Sequence, residues 1–208
     1  MRYRIKICGL TDPGQGLMAA SAGVDAIGLV FHPRSRRAVT VEMAAAITEV
    51  LPPFVTTVGL FVDPSPDEVQ RVLNGCRLDL LQFHGAENAD FCNAFGLPYL
   101  KALAMADGCD PRPTMDAHPR ARGFLLDSHG PGKMGGSGES FDWRSIPGPL
   151  ERPWLLAGGL DAANVGQALS LTHPFGVDVS SGVESAPGHK NPRLVRDFVD
   201  AVRQVERE

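Results

Sequence analysis

The chain has 208 residues, enough for one well-packed domain and near the shortest length for a closed eight-stranded barrel. Hydrophobic residues make up 43% and charged residues 21%, which is typical of globular proteins and excludes a disordered chain. The net charge of -4 argues against nucleic acid as the main partner, because phosphate neutralisation requires clustered Lys and Arg. No apolar run approaches the roughly 20 residues that span a bilayer, so no membrane partner is expected.

The cysteines indicate a reducing compartment. Cys8, Cys76, Cys92 and Cys109 show no C-x-x-C spacing, and the first residues lack a basic segment followed by an apolar signal core. We therefore expect free thiols and a cytoplasmic protein. Arginines gather within residues 34–37, a cluster so short that it suits one small anion better than a polymer.

Eight apolar, strand-like runs recur along the chain, each followed by turn residues and a segment of helical character. They cover residues 5–8, 26–31, 56–62, 78–83, 99–104, 123–127, 154–157 and 176–179. The average spacing of about 26 residues suits one strand, one helix and two short loops. The runs are almost continuously apolar, as is typical of parallel strands covered by helices.

This pattern predicts a single (β/α)8 TIM barrel domain over residues 1–208, with parallel strands and shortened fifth and sixth helices. Residues 107–120 are rich in proline, and residues 128–141 have the composition of a long loop. A doubly wound open sheet has the same alternation and is the main alternative. Closure is favoured because no G-x-G-x-x-G turn follows the first run and the glycine-rich turns come late in the chain.

Several helix signals support this assignment. Asp12 precedes Pro13 as a capping residue before a proline at the first helical position. Residues 65–68 have the pattern of a capping box with a proline inside it. Apolar residues near the end recur at helical spacing and predict a final helix that packs on the sheet, namely Leu194, Val195, Phe198, Val199 and Val202.

Two reactive residues end strand-like runs: Cys8 ends the first and Asp127 ends the sixth. In a closed barrel these ends meet at one mouth, where the pair is interpreted as a base and an acid. The alternatives are a small apolar filler for Cys8 and a turn residue for Asp127. Period-two alternation places Lys6 on the same face as Cys8, and we expect it to pair with Asp178 inside the barrel.

The turns after the last two runs predict a phosphate site. Gly158 and Gly159 follow the seventh run, and Ser180, Ser181 and Gly182 follow the eighth. Barrels often bind phosphate with these two loops, since glycine lets backbone N–H groups approach the anion and serine adds hydroxyl donors. A helix starting at Gly182 would add a favourable dipole. Each loop alone is equally well explained as an ordinary turn.

Six motifs then occur in the order of one enzyme family; they lie at residues 6–11, 28–37, 81–85, 126–127, 135–143 and 177–184. On these the chain resembles phosphoribosylanthranilate isomerase over essentially its whole length. The resemblance implies a (β/α)8 barrel that converts N-(5-phosphoribosyl)anthranilate to 1-(2-carboxyphenylamino)-1-deoxyribulose 5-phosphate in tryptophan biosynthesis. This Amadori rearrangement is an aldose-to-ketose isomerisation on a small phosphosugar, and it requires no metal or organic cofactor.

By that resemblance Cys8 is the general base, Asp127 the general acid and Arg37 the ligand for the anthranilate carboxylate. Asp127 must then carry a proton near neutral pH, and Cys8 must act as a thiolate, which nearby positive charges would help. Gln82 and His84 are expected behind the reacting groups. A glycine-rich loop is expected to cover the substrate and reach its phosphate through Gly135, Gly136 and Ser137.

Other functions stay open on the sequence. One is a different phosphosugar barrel enzyme, such as an indole-glycerol-phosphate synthase using Lys101 or a metal-dependent epimerase using His32 and His84. Carboxylate partners for such a metal are not evident at neighbouring strand ends. Another is a catalytically silent barrel that senses a phosphorylated metabolite. A monomer is favoured, and a homodimer is possible.

Overall fold

The computed structural model describes residues 2–105, 109–128 and 142–207. Eight parallel strands follow one another around a closed barrel, in which β1 pairs with both β2 and β8. They are β1 (Arg4–Cys8), β2 (Ala26–Val30), β3 (Thr56–Phe61), β4 (Leu80–Phe83), β5 (Tyr99–Ala104), β6 (Gly123–Asp127), β7 (Trp154–Leu156) and β8 (Gly176–Val179). The predicted parallel barrel is confirmed, and the open sheet is excluded.

Seven α-helices lie among the described residues. They are α1 (Pro13–Ser21), α2 (Val41–Glu49), α3 (Pro66–Gly75), α4 (Ala89–Asn93), α5 (Arg112–Ala117), α6 (Val165–Thr172) and α7 (Pro192–Val205). The helix after β5 has six residues and is short, as predicted. Between β6 and β7 the described residues form one 3-10 turn, Trp143–Ser145. Most of the predicted loop at 128–141 lies outside the described residues.

The helix after β4 is also short, with five residues, which the sequence analysis did not predict. The reason lies in the loop before it. The Glu87 carboxylate accepts hydrogen bonds from the backbone N–H groups of Asp63 and Gly85 at 2.8 and 2.9 Å. These bonds hold the loop in a non-helical path, so the helix begins only after its cap, Asn88.

The predicted helix signals are confirmed. The Asp12 side chain caps α1 by accepting a hydrogen bond from the Gln15 N–H, and Pro13 is the first helical residue. Both hydrogen bonds of the capping box between Ser65 and Glu68 are present at the start of α3. The apolar stripe of α7 is buried through Val195, Phe198, Val199 and Val202.

The eighth strand is followed by a 3-10 turn, Ser181–Val183, and then by a hairpin of β9 (Glu184–Ala186) and β10 (His189–Lys190). The expectation of a helix starting at Gly182 was therefore wrong. Gly188 adopts a φ of 81°, which permits the tight turn between the two strands. The next helix begins only at Pro192.

The barrel interior is apolar in part and charged in part. One small cluster joins Cys8, Val30 and Leu60, while the main apolar core lies between strands and helices. Lys6 and Asp178 face each other inside, with Nζ and Oδ1 2.9 Å apart, so their predicted pairing is confirmed. No helix in the described part of the chain combines the length and apolar character that a membrane crossing requires.

Candidate active site

Cys8 and Asp127 are the last residues of β1 and β6, at the carboxyl ends of the barrel strands. Their exposed fractions are 6% and 7%, so both side chains are largely removed from water. In a barrel of parallel strands this end carries the side chains that act on substrates. The fold thus brings the two predicted reacting residues to one mouth.

Burial and charge act in opposite directions on the Cys8 thiol. Burial raises its pKa, the Lys6 ammonium lowers it, Asp178 raises it and Lys190 lowers it; the outcome is a pKa above that of an ordinary thiol. Positive charges do favour the thiolate, as expected, but in this arrangement they do not outweigh desolvation. Burial also raises the pKa of Asp178, although Lys6 opposes this.

The thiol fits because its neighbour on the next strand is glycine. Cys8 pairs with Gly28 in the parallel register of β1 and β2. A Cβ atom at Gly28 would lie 2.7 Å from Cys8 Sγ and 3.1 Å from Lys6 Nζ, closer than an ordinary contact. Gly28 therefore provides the space in which the thiol and the ammonium lie together. No pattern in the sequence around Gly28 indicates this role.

Asp127 contacts His84, which follows β4. His84 Nε2 lies 3.2 Å from Asp127 Oδ2, and Ser128 Oγ lies 3.4 Å from Asp127 Oδ1. His84 Nδ1 is 3.2 Å from the buried amide nitrogen of Gln82. The three side chains thus form a chain of contacts from the barrel interior to the carboxyl group, in which Gln82 and His84 lie behind Asp127.

The Lys101 ammonium is hydrogen-bonded within the protein. It donates to the Glu87 carboxylate at 3.1 Å and to the backbone carbonyls of Phe83 and Gly85. All three ammonium hydrogens therefore have acceptors within the protein. This pairing argues against Lys101 as the catalytic lysine of an indole-glycerol-phosphate synthase. No group of three or more potential metal ligands occurs in the described ranges.

The two predicted phosphate loops lie against each other. Gly158 and Gly159 have φ values of 85° and 62°, conformations that glycine adopts readily. A Cβ atom at Gly182 would collide with the Leu160 carbonyl oxygen, so the loops after β7 and β8 approach closely. The Gly159 carbonyl accepts a hydrogen bond from the Asn164 amide at 2.8 Å, which fixes the turn.

Ser180 joins β8 to β1. Its hydroxyl donates to the Cys8 carbonyl at 2.9 Å and lies 3.3 Å from Lys190 Nζ. This hydroxyl is thus already engaged within the protein. Ser181 begins the 3-10 turn that follows. The loop residues Gly135, Gly136 and Ser137 lie outside the described residues.

Arg37 has a carboxylate partner that the sequence analysis missed. Its Nε and Nη2 donate to Glu184 Oε1 and Oε2, both at 2.8 Å, and Lys190 Nζ donates to Glu184 Oε1 at 2.6 Å. Burial alone would raise the pKa of Glu184, but hydrogen bonds and charge from Arg37 and Lys190 hold it below its usual value. Glu184 lies in a motif of the resemblance, yet nothing local indicates that it pairs with a residue 147 positions away.

A family model for N-(5'-phosphoribosyl)anthranilate isomerase matches residues 5–201. A relative of that name from Pseudomonas aeruginosa strain UCBPP-PA14 is 51% identical over 205 residues, covering 99% of this chain and 97% of the relative.

Two solved structures are similar throughout. The phosphoribosyl anthranilate isomerase of Thermus thermophilus has a TM-score of 0.86 and 36% identity, covering 97% of this chain and 99% of its own. Another such isomerase, in complex with reduced 1-(o-carboxyphenylamino)-1-deoxyribulose 5-phosphate, has a TM-score of 0.82 and 32% identity with the same coverage. The resemblance predicted from the motifs is therefore confirmed, and the chain belongs to the N-(5'-phosphoribosyl)anthranilate isomerase family.

Proposed function

We propose that this chain is an isomerase that converts N-(5'-phosphoribosyl)anthranilate to 1-(2-carboxyphenylamino)-1-deoxyribulose 5-phosphate in tryptophan biosynthesis. The observation that carries the proposal is the match to named isomerases over almost the whole chain, in a barrel that keeps Cys8 and Asp127 at its mouth. A small phosphosugar is thus the molecule that binds there. A silent barrel would have no need of these two reactive groups at the same mouth.

The reaction needs an acid and then a base. Asp127 donates a proton to the furanose ring oxygen, which opens the sugar to a Schiff base, and Cys8 removes the proton from C2 of the ribose. The resulting enolamine tautomerises to the ketone. The substrate gains one proton from Asp127 and loses one to Cys8, so its formula is unchanged, and proton exchange with water restores the acid and the base. His84, whose Nε2 lies 3.2 Å from the Asp127 carboxyl group, positions this acid towards the substrate.

The two ends of the substrate carry negative charge. Arg37 binds the carboxylate of the anthranilate ring, because a guanidinium grips a carboxylate with parallel hydrogen bonds. The phosphate binds at the glycine-rich turns after β7 and β8, which contain Gly158 and Gly182, and Gly182 lets these loops pack closely together at the barrel mouth. Held at both ends, the sugar lies between the acid and the base.

The test is turnover of freshly generated phosphoribosylanthranilate, followed as loss of anthranilate-type fluorescence in metal-chelating buffer. We expect turnover by the wild type and losses of several orders of magnitude in Cys8→Ser and Asp127→Asn. Cys109→Ser removes an exposed thiol and Asp197→Asn an exposed carboxylate, so both matched controls should retain activity.

Binding of inorganic phosphate, measured by calorimetry, shows whether the variants are folded. An inactive wild type that still binds phosphate would contradict the proposal and indicate a different phosphosugar substrate. Full activity of both Cys8→Ser and Asp127→Asn would mean that the chain is an isomerase but that these residues are not its base and acid.

A further inference from the structure

The hairpin after the barrel contributes a buried pair of opposite charges next to Arg37. The side chains of Glu184 and Lys190 are 5% and 0% exposed, and that of Arg37 is 11% exposed. Lys190 Nζ donates to Glu184 Oε1, to the Ser180 carbonyl at 3.0 Å and to the Ser180 hydroxyl. With every ammonium hydrogen engaged, Lys190 fixes the Glu184 carboxylate in one position.

Both ends of the Arg37 side chain are held. A Cβ atom at Gly9, the residue after Cys8, would collide with the Arg37 Cδ atom, so the Arg37 stem packs directly on this glycine. At the other end the Nε and Nη2 atoms bind Glu184. The loop after β1 and the hairpin together thereby set the orientation of the guanidinium.

The two hydrogen bonds to Glu184 use one edge of the guanidinium and leave a second edge available to a ligand. Arginine has five N–H donors, of which Nε and Nη2 here give one each to Glu184. Nη1 forms no hydrogen bond with any described residue, and with the second Nη2 hydrogen it presents a further two-pronged edge. A planar edge of this kind matches a carboxylate.

We propose that Glu184, fixed by Lys190, is a positioning residue that turns the free edge of Arg37 towards the carboxylate of an aromatic acid. The inference rests on the proposed function and adds the residues that determine recognition of the carboxylate. Charge supports the arrangement, since Arg37 and Lys190 with Glu184 leave one net positive charge for one carboxylate. The opposite account, in which Glu184 competes with the substrate for Arg37, predicts the reverse change in affinity.

The deciding variant is Glu184→Gln, which keeps the shape and removes the charge. Positioning predicts that KM for phosphoribosylanthranilate rises about 10- to 100-fold while kcat changes only a few-fold, because a bidentate charge-assisted contact is lost. Glu184→Asp keeps the charge and should recover part of the affinity. Asp197→Asn, an exposed carboxyl-to-amide change on α7, should leave both constants unchanged.

A double variant separates the orientation of the Arg37 guanidinium from the net charge around it. Glu184→Gln with Lys190→Met restores the net charge around Arg37 but not the hydrogen bonds that orient it. KM should stay raised in the double variant. A return to the wild-type KM would mean that charge alone matters, and a lower KM in Glu184→Gln alone would establish competition; either result overturns the proposal.

Two fragments distinguish positioning from general damage to the site. Anthranilate should bind more weakly to Glu184→Gln, while inorganic phosphate should bind as it does to the wild type, both measured by calorimetry. Equal weakening of both would show that the hairpin merely supports the fold and would overturn the inference. Because these measurements need no turnover, an inactive wild type would refute the proposed function and still leave the positioning role decided.

Discussion

Gly28→Ala adds one methyl group next to the thiol of Cys8. The new Cβ atom would lie 2.7 Å from Sγ and 3.1 Å from the Cys8 Cα atom. Ordinary contacts between such atoms are about 3.5–4.0 Å, so Sγ must move by roughly 1 Å or turn to another rotamer. A displacement of about 1 Å at a reacting group can lower a rate about 100-fold.

The assay is steady-state turnover of phosphoribosylanthranilate by the purified variant. We expect kcat to fall about 100-fold while KM changes little, since Gly28 lies beside the proposed base and away from the residues proposed to bind the substrate's charged ends. Gly59→Ala is the matched control on the neighbouring strand. Its Cβ atom would meet Leu78 at 2.5 Å on the helix-facing side, which should lower thermal stability and leave kcat within a few-fold.

Wild-type kcat in Gly28→Ala would refute the reasoning if the variant also melts at the wild-type temperature. It would mean either that the thiol tolerates the displacement or that Cys8 is not the base. A loss of kcat in Gly59→Ala equal to that in Gly28→Ala would assign the effect to general distortion of the barrel.

Three further outcomes are expected. Asp178→Asn leaves Lys6 buried without its countercharge and should lower the free energy of unfolding by about 3–5 kcal/mol in urea denaturation; an unchanged value would contradict the strength of this pair. Burial raises the pKa of Cys8, although Lys6 opposes it, so in the ligand-free protein the proposed base acts from a small thiolate fraction at neutral pH. Alkylation in Cys109→Ser protein should therefore accelerate as pH rises through the alkaline range. A rate already constant at neutral pH would show a lowered pKa instead. Ser65→Ala removes the cap of α3 and should cost about 1 kcal/mol, measured by the same urea method, and no loss would mean that water replaces the cap.

The strands were predictable because each is buried on both faces. The fifth, sixth and eighth runs have the predicted bounds, and the others differ by one or two residues at an end. Leu78 shows why the ends differ: it is buried, yet Asp79 after it binds the backbone and hydroxyl of Thr57, and β4 begins only at Leu80. An apolar run reports burial, whereas strand bounds depend on pairing with the neighbouring strand.

The short elements after β8 were not predictable in the same way. Strands of two and three residues carry no periodic signal, and the 3-10 turn before them is too short to show a helical pattern. The hairpin position therefore depends on contacts distant in sequence. Gly188 accepts hydrogen bonds at its carbonyl from Thr11 and Gln15, near the other end of the chain.

In the candidate site, too, some residues could be predicted from the sequence and others depend on contacts between distant parts of the chain. Cys8 and Asp127 could be identified because each stands at the end of one run, and Lys6 with Asp178 because closure makes the first and last strands neighbours. The partners that fix these groups come from other strands and loops. The contact between His84 and Asp127 joins the ends of β4 and β6, and the residues around each in the sequence do not indicate that it forms.

Cys8 and Arg37 are thus each held by a residue that sequence patterns did not assign to them. Cys8 depends on the space at Gly28, and Arg37 depends on Glu184. Because these supports come from neighbouring strands and from the hairpin, transferring only the reacting residues to another eight-stranded barrel would reproduce the chemistry without the geometry. Rates depend on positions to within about 1 Å, so such a transfer should yield weak activity until the supporting residues are transferred as well.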